Sequence, residues 1–261
     1  MAVVIASSAM AHGSHGSHGD SGGLSVGLEF GLHIHQHDDE DEHETEVIPN
    51  AALSLSYSES FFDDKLDFDF GLSYVPSFKK GYFELEEHHH HDDDDDHDHE
   101  EDFFQQILCL EAGLTYSLDV TYFSTLSFIL ENETDFYLAP RIGKNNVEGV
   151  LKPGLKWNWG LNFGDIYVRY DLPLQYVSYF GEEFSVGSDV TLGWQSKFGL
   201  GIDFIGRFLL SPEAGFDGVD AIISYALPIK NFTLYVSCEF EGIGSEEGFC
   251  IVPVIGFRYS F

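Results

Sequence analysis

Phe249-Cys250-Ile251-Val252-Pro253-Val254-Ile255-Gly256-Phe257-Arg258-Tyr259-Ser260-Phe261 is the stretch whose reading decides the fold. Successive side chains of a strand point to opposite faces, so two sets of residues separate here. Phe249, Ile251, Pro253, Ile255, Phe257, Tyr259 and Phe261 make one face wholly apolar or aromatic. Cys250, Val252, Val254, Gly256, Arg258 and Ser260 make the other, which turns small or polar toward its end. Strands usually run to roughly 5–6 residues. A hydrocarbon core demands roughly 9–11, tilted. This stretch is long enough to cross a membrane.

The rest of the chain repeats the pattern. Leu24, Val26, Leu28, Phe30, Leu32 and Ile34 alternate with Ser25, Gly27, Glu29, Gly31, His33 and His35. A shorter second strand carries Leu53, Leu55 and Tyr57, and a third carries Leu66, Phe68, Phe70, Leu72 and Tyr74. Further runs centre on Leu110, Phe128, Leu155, Val168, Leu192, Ile202, Ile223 and Val236, giving about twelve strands, an even number as in bacterial single-chain barrels. Short connections are expected near 58–65, 118–120, 162–165, 195–197 and 228–231. Longer ones are expected near 35–50, 77–104, 131–149, 178–188, 211–220 and 241–248, so the two classes alternate along the chain. No run of eighteen apolar residues offers a membrane helix. A soluble barrel or sandwich would turn its apolar residues inward. Here the polar faces are rich in Gly, Ser and Thr, while Trp157, Trp159 and Tyr170 lie on the apolar faces.

The C-terminal Phe261, with Tyr259 on the same face, resembles the closing strand of Gram-negative outer-membrane β-barrels, which typically end on an aromatic residue. The resemblance covers residues 24–261. It implies an all-β fold, a transmembrane antiparallel up-and-down barrel with long outer loops and short periplasmic turns. It also implies outer-membrane lipid and the barrel-assembly machinery as partners. Enzymes of this family, the phospholipases and proteases, need a strand-borne histidine beside Ser or Asp. Every histidine here precedes residue 100, and no Ser–His–acid set can be located, so no catalytic role is expected. TonB-dependent receptors are about twice as long and carry a plug domain.

Three segments are expected: a signal-peptide remnant at 1–11, a His/Gly/Ser-rich tail at 12–22, and the barrel at 23–261. Val3 to Ala6 followed by Ser7-Ser8-Ala9-Met10-Ala11 fits a small-x-small cleavage site before His12. The basic region that normally opens such a leader is missing, so Met1 is expected to lie inside a longer one. His12, His15 and His18 recur every third residue in the tail.

The formal charge of −33 excludes nucleic acid, whose phosphates need clustered Lys and Arg. The charge is localised. Residues 38–46 hold seven of the 45 acidic residues and residues 84–102 hold twelve, and ten of the thirteen histidines lie in or beside these segments. No Lys or Arg precedes Lys65.

His33, His35 and His37 share one face at strand spacing, directed at the mouth of the lumen, and Asp38, Asp39 and His43 follow. The second run is His88, His89, His90, His91, Asp92, Asp94, His97 and His99, placed in an outer loop by the same topology. Imidazole with carboxylate selects zinc, nickel, cobalt or copper(II) rather than calcium. No cofactor is obligatory; divalent metal ions are the expected ligands. Low-complexity runs of this kind bind several ions weakly, or serve as a solvated, mutually repelling coat. Such loops resemble, in composition, those of zinc-acquiring outer-membrane proteins. Cys109, Cys238 and Cys250 show no metal-type spacing, and alternation puts Cys238 and Cys250 on opposite faces.

The inward face is expected to carry Asp67, Asp69, Glu111, Glu131, Asp171, Asp203 and Glu239 against Lys152, Lys156, Arg169, Arg207 and Arg258. Such walls either fill a narrow barrel with ion pairs or line an aqueous channel. The sequence points to capture and passive passage of divalent transition metals. A general porin with an acidic coat, or a non-conducting adhesin barrel, are the alternatives.

Overall fold

A sheet exposed to lipid must leave no backbone edge unpaired, because hydrocarbon offers no hydrogen bonds. The computed structural model of the chain meets that condition; it describes residues 23–38, 43–80, 102–139, 147–178, 182–212, 214–243 and 249–261. The expected leader and tail, Asp39, and the run from His88 to His99 lie outside the described residues. So do the side chains of His35, His37, Asp38 and His43.

The strands are β1 (Gly23–Asp38), β2 (His43–Phe61), β3 (Leu66–Lys80), β4 (Asp102–Thr121), β5 (Ser124–Ala139), β6 (Val147–Leu161) and β7 (Gly164–Asp171). They continue as β8 (Leu174–Ser178), β9 (Glu182–Ser196), β10 (Leu200–Ser211), β11 (Gly215–Ile229), β12 (Phe232–Ile243) and β13 (Phe249–Ser260). All pairings are antiparallel, and β13 returns to pair with β1 from Ser25↔Ser260 to Gln36↔Phe249. The thirteen strands make twelve staves. Leu172 and Pro173 interrupt the ladder between β7 and β8, yet Asp171↔Gly154 and Leu174↔Leu151 keep one register against β6. Asp171↔Asp189 and Leu174↔Val186 likewise keep one register against β9.

The five expected short turns are present, the second displaced to Tyr122 and Phe123 because β4 runs on to Thr121. The longer connections differ from expectation. β1 and β2 stay paired up to Asp38↔His43, so β2 has 19 residues and most of 35–50 is ladder. β3 and β4 stay paired up to Lys80↔Asp102. Outside the lipid both faces of a hairpin meet water, so apolar alternation stops before the strand does.

Burial is inverted relative to a soluble protein. Ser25, Glu29, Ser54, Ser127, Arg169, Asp171, Thr191, Asp203, Asp220 and Glu239 are buried. Leu24, Phe30, Leu53, Phe128, Leu155, Leu192, Phe204 and Ile255 are exposed. This is the pattern of a barrel with lipid outside and a polar lumen inside. From Leu24 to Ile34 the apolar face of β1 covers ten residue steps. At roughly 3.3 Å per step and a tilt of roughly 40°, that is roughly 25 Å of membrane thickness. Aromatic side chains crowd the turn end: Phe62, Tyr122, Phe123, Phe163, Phe198 and Phe261 are exposed, and Trp157 stacks on Trp159 at 5.6 Å. Amphipathic rings at that level suit an interfacial girdle.

Inside, one arrangement occurs twice. Tyr235, Gly256 and Glu29 stand side by side on β12, β13 and β1, and the tyrosine hydroxyl reaches over the glycine to donate to Glu29. Tyr167, Gly193 and Asp203 do the same on β7, β9 and β10, with a hydroxyl–carboxylate distance of 2.5 Å. A Cβ on either glycine would run into the tyrosine ring. The missing side chain is what lets a ring lie flat against the wall and tie three strands together.

Tyr235→Phe is expected to lower stability by about 1–2 kcal/mol, the scale of a hydrogen bond to a charged acceptor in a partly wet site. Gly256→Ala should cost at least as much, since it moves the ring as well as the hydroxyl. Urea titration of the heat-modifiable gel shift reads both; a neutral Gly256→Ala would show that the ring's seat is dispensable.

Candidate functional site

The inward face of the barrel is where solute can meet side chains. All twelve charged residues expected there lie on it, and Glu29, Glu133, Asp135, Glu148, Asp189, Asp220 and Glu241 join them. These fourteen carboxylates, with Asp119 and Asp165 on the same rows nearer the turns, face five Lys and Arg among the described side chains: Lys152, Lys156, Arg169, Arg207 and Arg258.

Lys156, Arg169 and Arg258 hold the middle and the turn half, while Arg207 and Lys152 stand nearer the loops. Arg169 forks between two carboxylates. Its Nε donates to Asp171 Oδ2 at 2.7 Å, and its Nη1 and Nη2 donate to Glu131 at 3.1 and 2.5 Å. The planar guanidinium suits this two-sided geometry in a way an ammonium does not. Lys156 Nζ sits 4.0 Å from the centre of the Tyr167 ring, the same ring that donates to Asp203. Arg207 pairs with Asp220, whose Oδ1 also accepts from the Gly242 amide at 3.0 Å.

The loop half is acidic. Glu111, Glu133, Asp135, Glu148, Asp220 and Glu241 lie nine or more residues from the turn end of their strands, and Lys152 and Arg207 are the two Lys or Arg at that level among the described inward side chains. Lys152 Nζ is 3.8 Å from Glu133. Glu148 accepts from Tyr137 at 3.1 Å and from Gln175 at 2.6 Å, which fixes its carboxylate against the wall. Two groups combine carboxylates with sulfur. Cys109, Glu133 and Asp135 cluster on β4 and β5, and His33, Glu241 and Cys250 cluster where β12, β13 and β1 meet.

Of the expected metal ligands, His33 faces the lumen beside Cys250, with Sγ 3.2 Å from Nε2. His35 stands opposite Cys250 in the register. Cys250, Glu241 and Cys109 were not expected as ligands. Cysteine spacing along the chain is blind to partners brought in by strand pairing, here from 217 residues away. Alternation alone could have placed Cys109 and Cys250 inward.

No protein-family model matches the chain, and no curated protein matches it. Solved structures do. An outer-membrane channel from Pseudomonas putida F1 matches over 95% of this chain and 98% of its own, with TM-score 0.59 and 12% identity. The translocator domain of autotransporter NalP from Neisseria meningitidis matches over 97% and 92%, with TM-score 0.52 and 9% identity. The chain has the outer-membrane β-barrel fold. At these identities the likeness is one of fold. Together with the apolar belt it points to an outer membrane, with the short turns on the periplasmic side.

Arg169→Gln leaves Glu131 and Asp171 facing each other without a cation. The expected loss is about 2–3 kcal/mol, below that of a dry pair because the lumen side stays wet. Lys152→Gln removes a longer, more exposed contact and should change stability by less than about 0.5 kcal/mol. Equal losses in urea titration would mean that the fork is no stronger than a surface pair.

Proposed function

We propose that the chain is a passive outer-membrane channel for small cations, and that its His/Asp-rich segments gather divalent transition metal ions at its outer mouth. The observation that carries the reading is the acidic loop half of the lumen, where six carboxylates outnumber Lys152 and Arg207 among the described inward side chains. Rings of Asp and Glu favour cations at a pore wall, because each ion that sheds water there regains carboxylate oxygen. Low-dielectric barrel walls focus the field along the axis. The Arg169 fork below holds one guanidinium between two carboxylates, so an ion that passes it after capture meets no net positive charge.

Composition and connectivity support the metal clause. Lys80 and Asp102 pair at the loop end, so the run from His88 to His99 belongs to the connection between them. Asp38 and residues 43–46 belong to the same β1–β2 hairpin as His33. Imidazole mixed with carboxylate favours zinc, cobalt or nickel over calcium. The assembly machinery that reads terminal aromatic residues is the partner expected for Tyr259 and Phe261.

Planar-bilayer recordings of the refolded chain in a potassium chloride gradient test the reading. A reversal potential showing several-fold preference for potassium is expected, shrinking near 1 M salt where the Debye length falls to roughly 3 Å. Glu111→Gln with Glu133→Gln and Glu148→Gln should bring the preference close to unity. Unselective or anion-selective steps would leave a general porin, and a silent bilayer would leave a non-conducting barrel.

A further inference from the structure

We propose that His33, Glu241 and Cys250 form a built-in binding site for one zinc-class divalent ion at the outer end of the lumen. The three residues come from β1, β12 and β13, at the seam where the first stave meets the last. Cys250 lies directly opposite Glu241 in the β12–β13 register, and the β1–β13 pairing brings His33 diagonally alongside. All three point inward. His33 and Glu241 side chains are 15% and 18% exposed and Cys250 is 5% exposed, so the group sits in the wall yet opens onto the lumen.

The donor atoms are spaced for a shared ion. His33 Nε2 is 3.2 Å from Cys250 Sγ and 3.8 Å from Glu241 Oε2, and all three ligand atoms lie within 4.8 Å of one another. In a tetrahedral shell with ordinary Zn–N, Zn–O and Zn–S bonds, neighbouring donors are roughly 3.3–3.6 Å apart. Small side-chain adjustments would close the shell. Charge also balances: a neutral imidazole, a thiolate and a carboxylate present two negative charges to a dication, and binding releases the thiol proton. A sulfur–nitrogen–oxygen set selects zinc or cobalt against magnesium and calcium, which take oxygen. Three protein ligands leave a fourth position for water or a passing solute on the lumen side.

The role in permeation rests on the channel reading, whereas ion binding does not. As a bridge across β12, β13 and β1, the ion would also stabilise the closed barrel by mass action.

Cobalt(II) serves as the probe, because a cobalt–thiolate bond gives a near-ultraviolet charge-transfer absorption that imidazole and carboxylate ligands do not. The His-rich segments hold no cysteine, so they cannot produce it. The refolded full chain in detergent should show this absorption, titrating to about one cobalt per chain and displaced by zinc. It should vanish in Cys250→Ser, weaken at least tenfold in apparent affinity in His33→Gln and Glu241→Gln, and persist in Cys109→Ser and Cys238→Ser. The heat-modifiable gel shift of each variant reports folding. Absence of the band from the folded wild type, its survival in Cys250→Ser, or its loss in Cys109→Ser would overturn the site. Bilayer conductance of the same preparations, measured without transition metal, reports on the channel reading separately.

Discussion

Closure of β13 onto β1 is the constraint on which the rest of the structure depends. In hydrocarbon each unpaired backbone N–H or C=O costs several kcal/mol, so an open edge of about ten residues could not be sustained. The run from Ser25↔Ser260 to Gln36↔Phe249 removes both edges at once. Once the sheet is closed, the period of two assigns every side chain to lipid or lumen, and a slip of one residue would exchange the faces.

The lumen then resolves a crowding problem. Many carboxylates line a wall that also needs rigidity, and the chain meets both demands with small residues beneath long ones. Gly256 and Gly193 let Tyr235 and Tyr167 span three strands. The Arg169 fork ties Glu131 on β5 to Asp171 on β7, across the intervening β6. Three of the five inward cations lie in the middle and turn half, and in the outer half six carboxylates outnumber Lys152 and Arg207. The uneven distribution of charge, more than its total, is what makes cation passage the reading with the strongest physical support.

Much of the fold was legible in the sequence because lipid imposes a simple rule. Runs such as Leu24 to Ile34 and Phe249 to Phe261 must be apolar on one face, and that signal survives without any partner in view. Strand ends were less legible. His43 to Asn50 carries no apolar alternation, yet it pairs residue for residue with β1 up to Asp38↔His43, since beyond the belt the ladder is held by backbone bonds. The lumen charges could be assigned to a face but not to each other. Glu131 and Arg169 are 38 residues apart, and nothing local couples them. The histidine-rich segments were conspicuous, whereas the sulfur ligand beside His33 was invisible, because composition reports abundance and not convergence.

By itself the sequence determined that this chain is a transmembrane barrel with lipid-facing and lumen-facing rows, since solvent on each face acts on each residue independently. Only the tertiary structure decided which rows meet: that Cys250 and Glu241 stand beside His33, that glycines underlie the tyrosines, and that the outer lumen is acidic. Those outcomes depend on register between strands far apart in the chain, and register is fixed when the barrel closes.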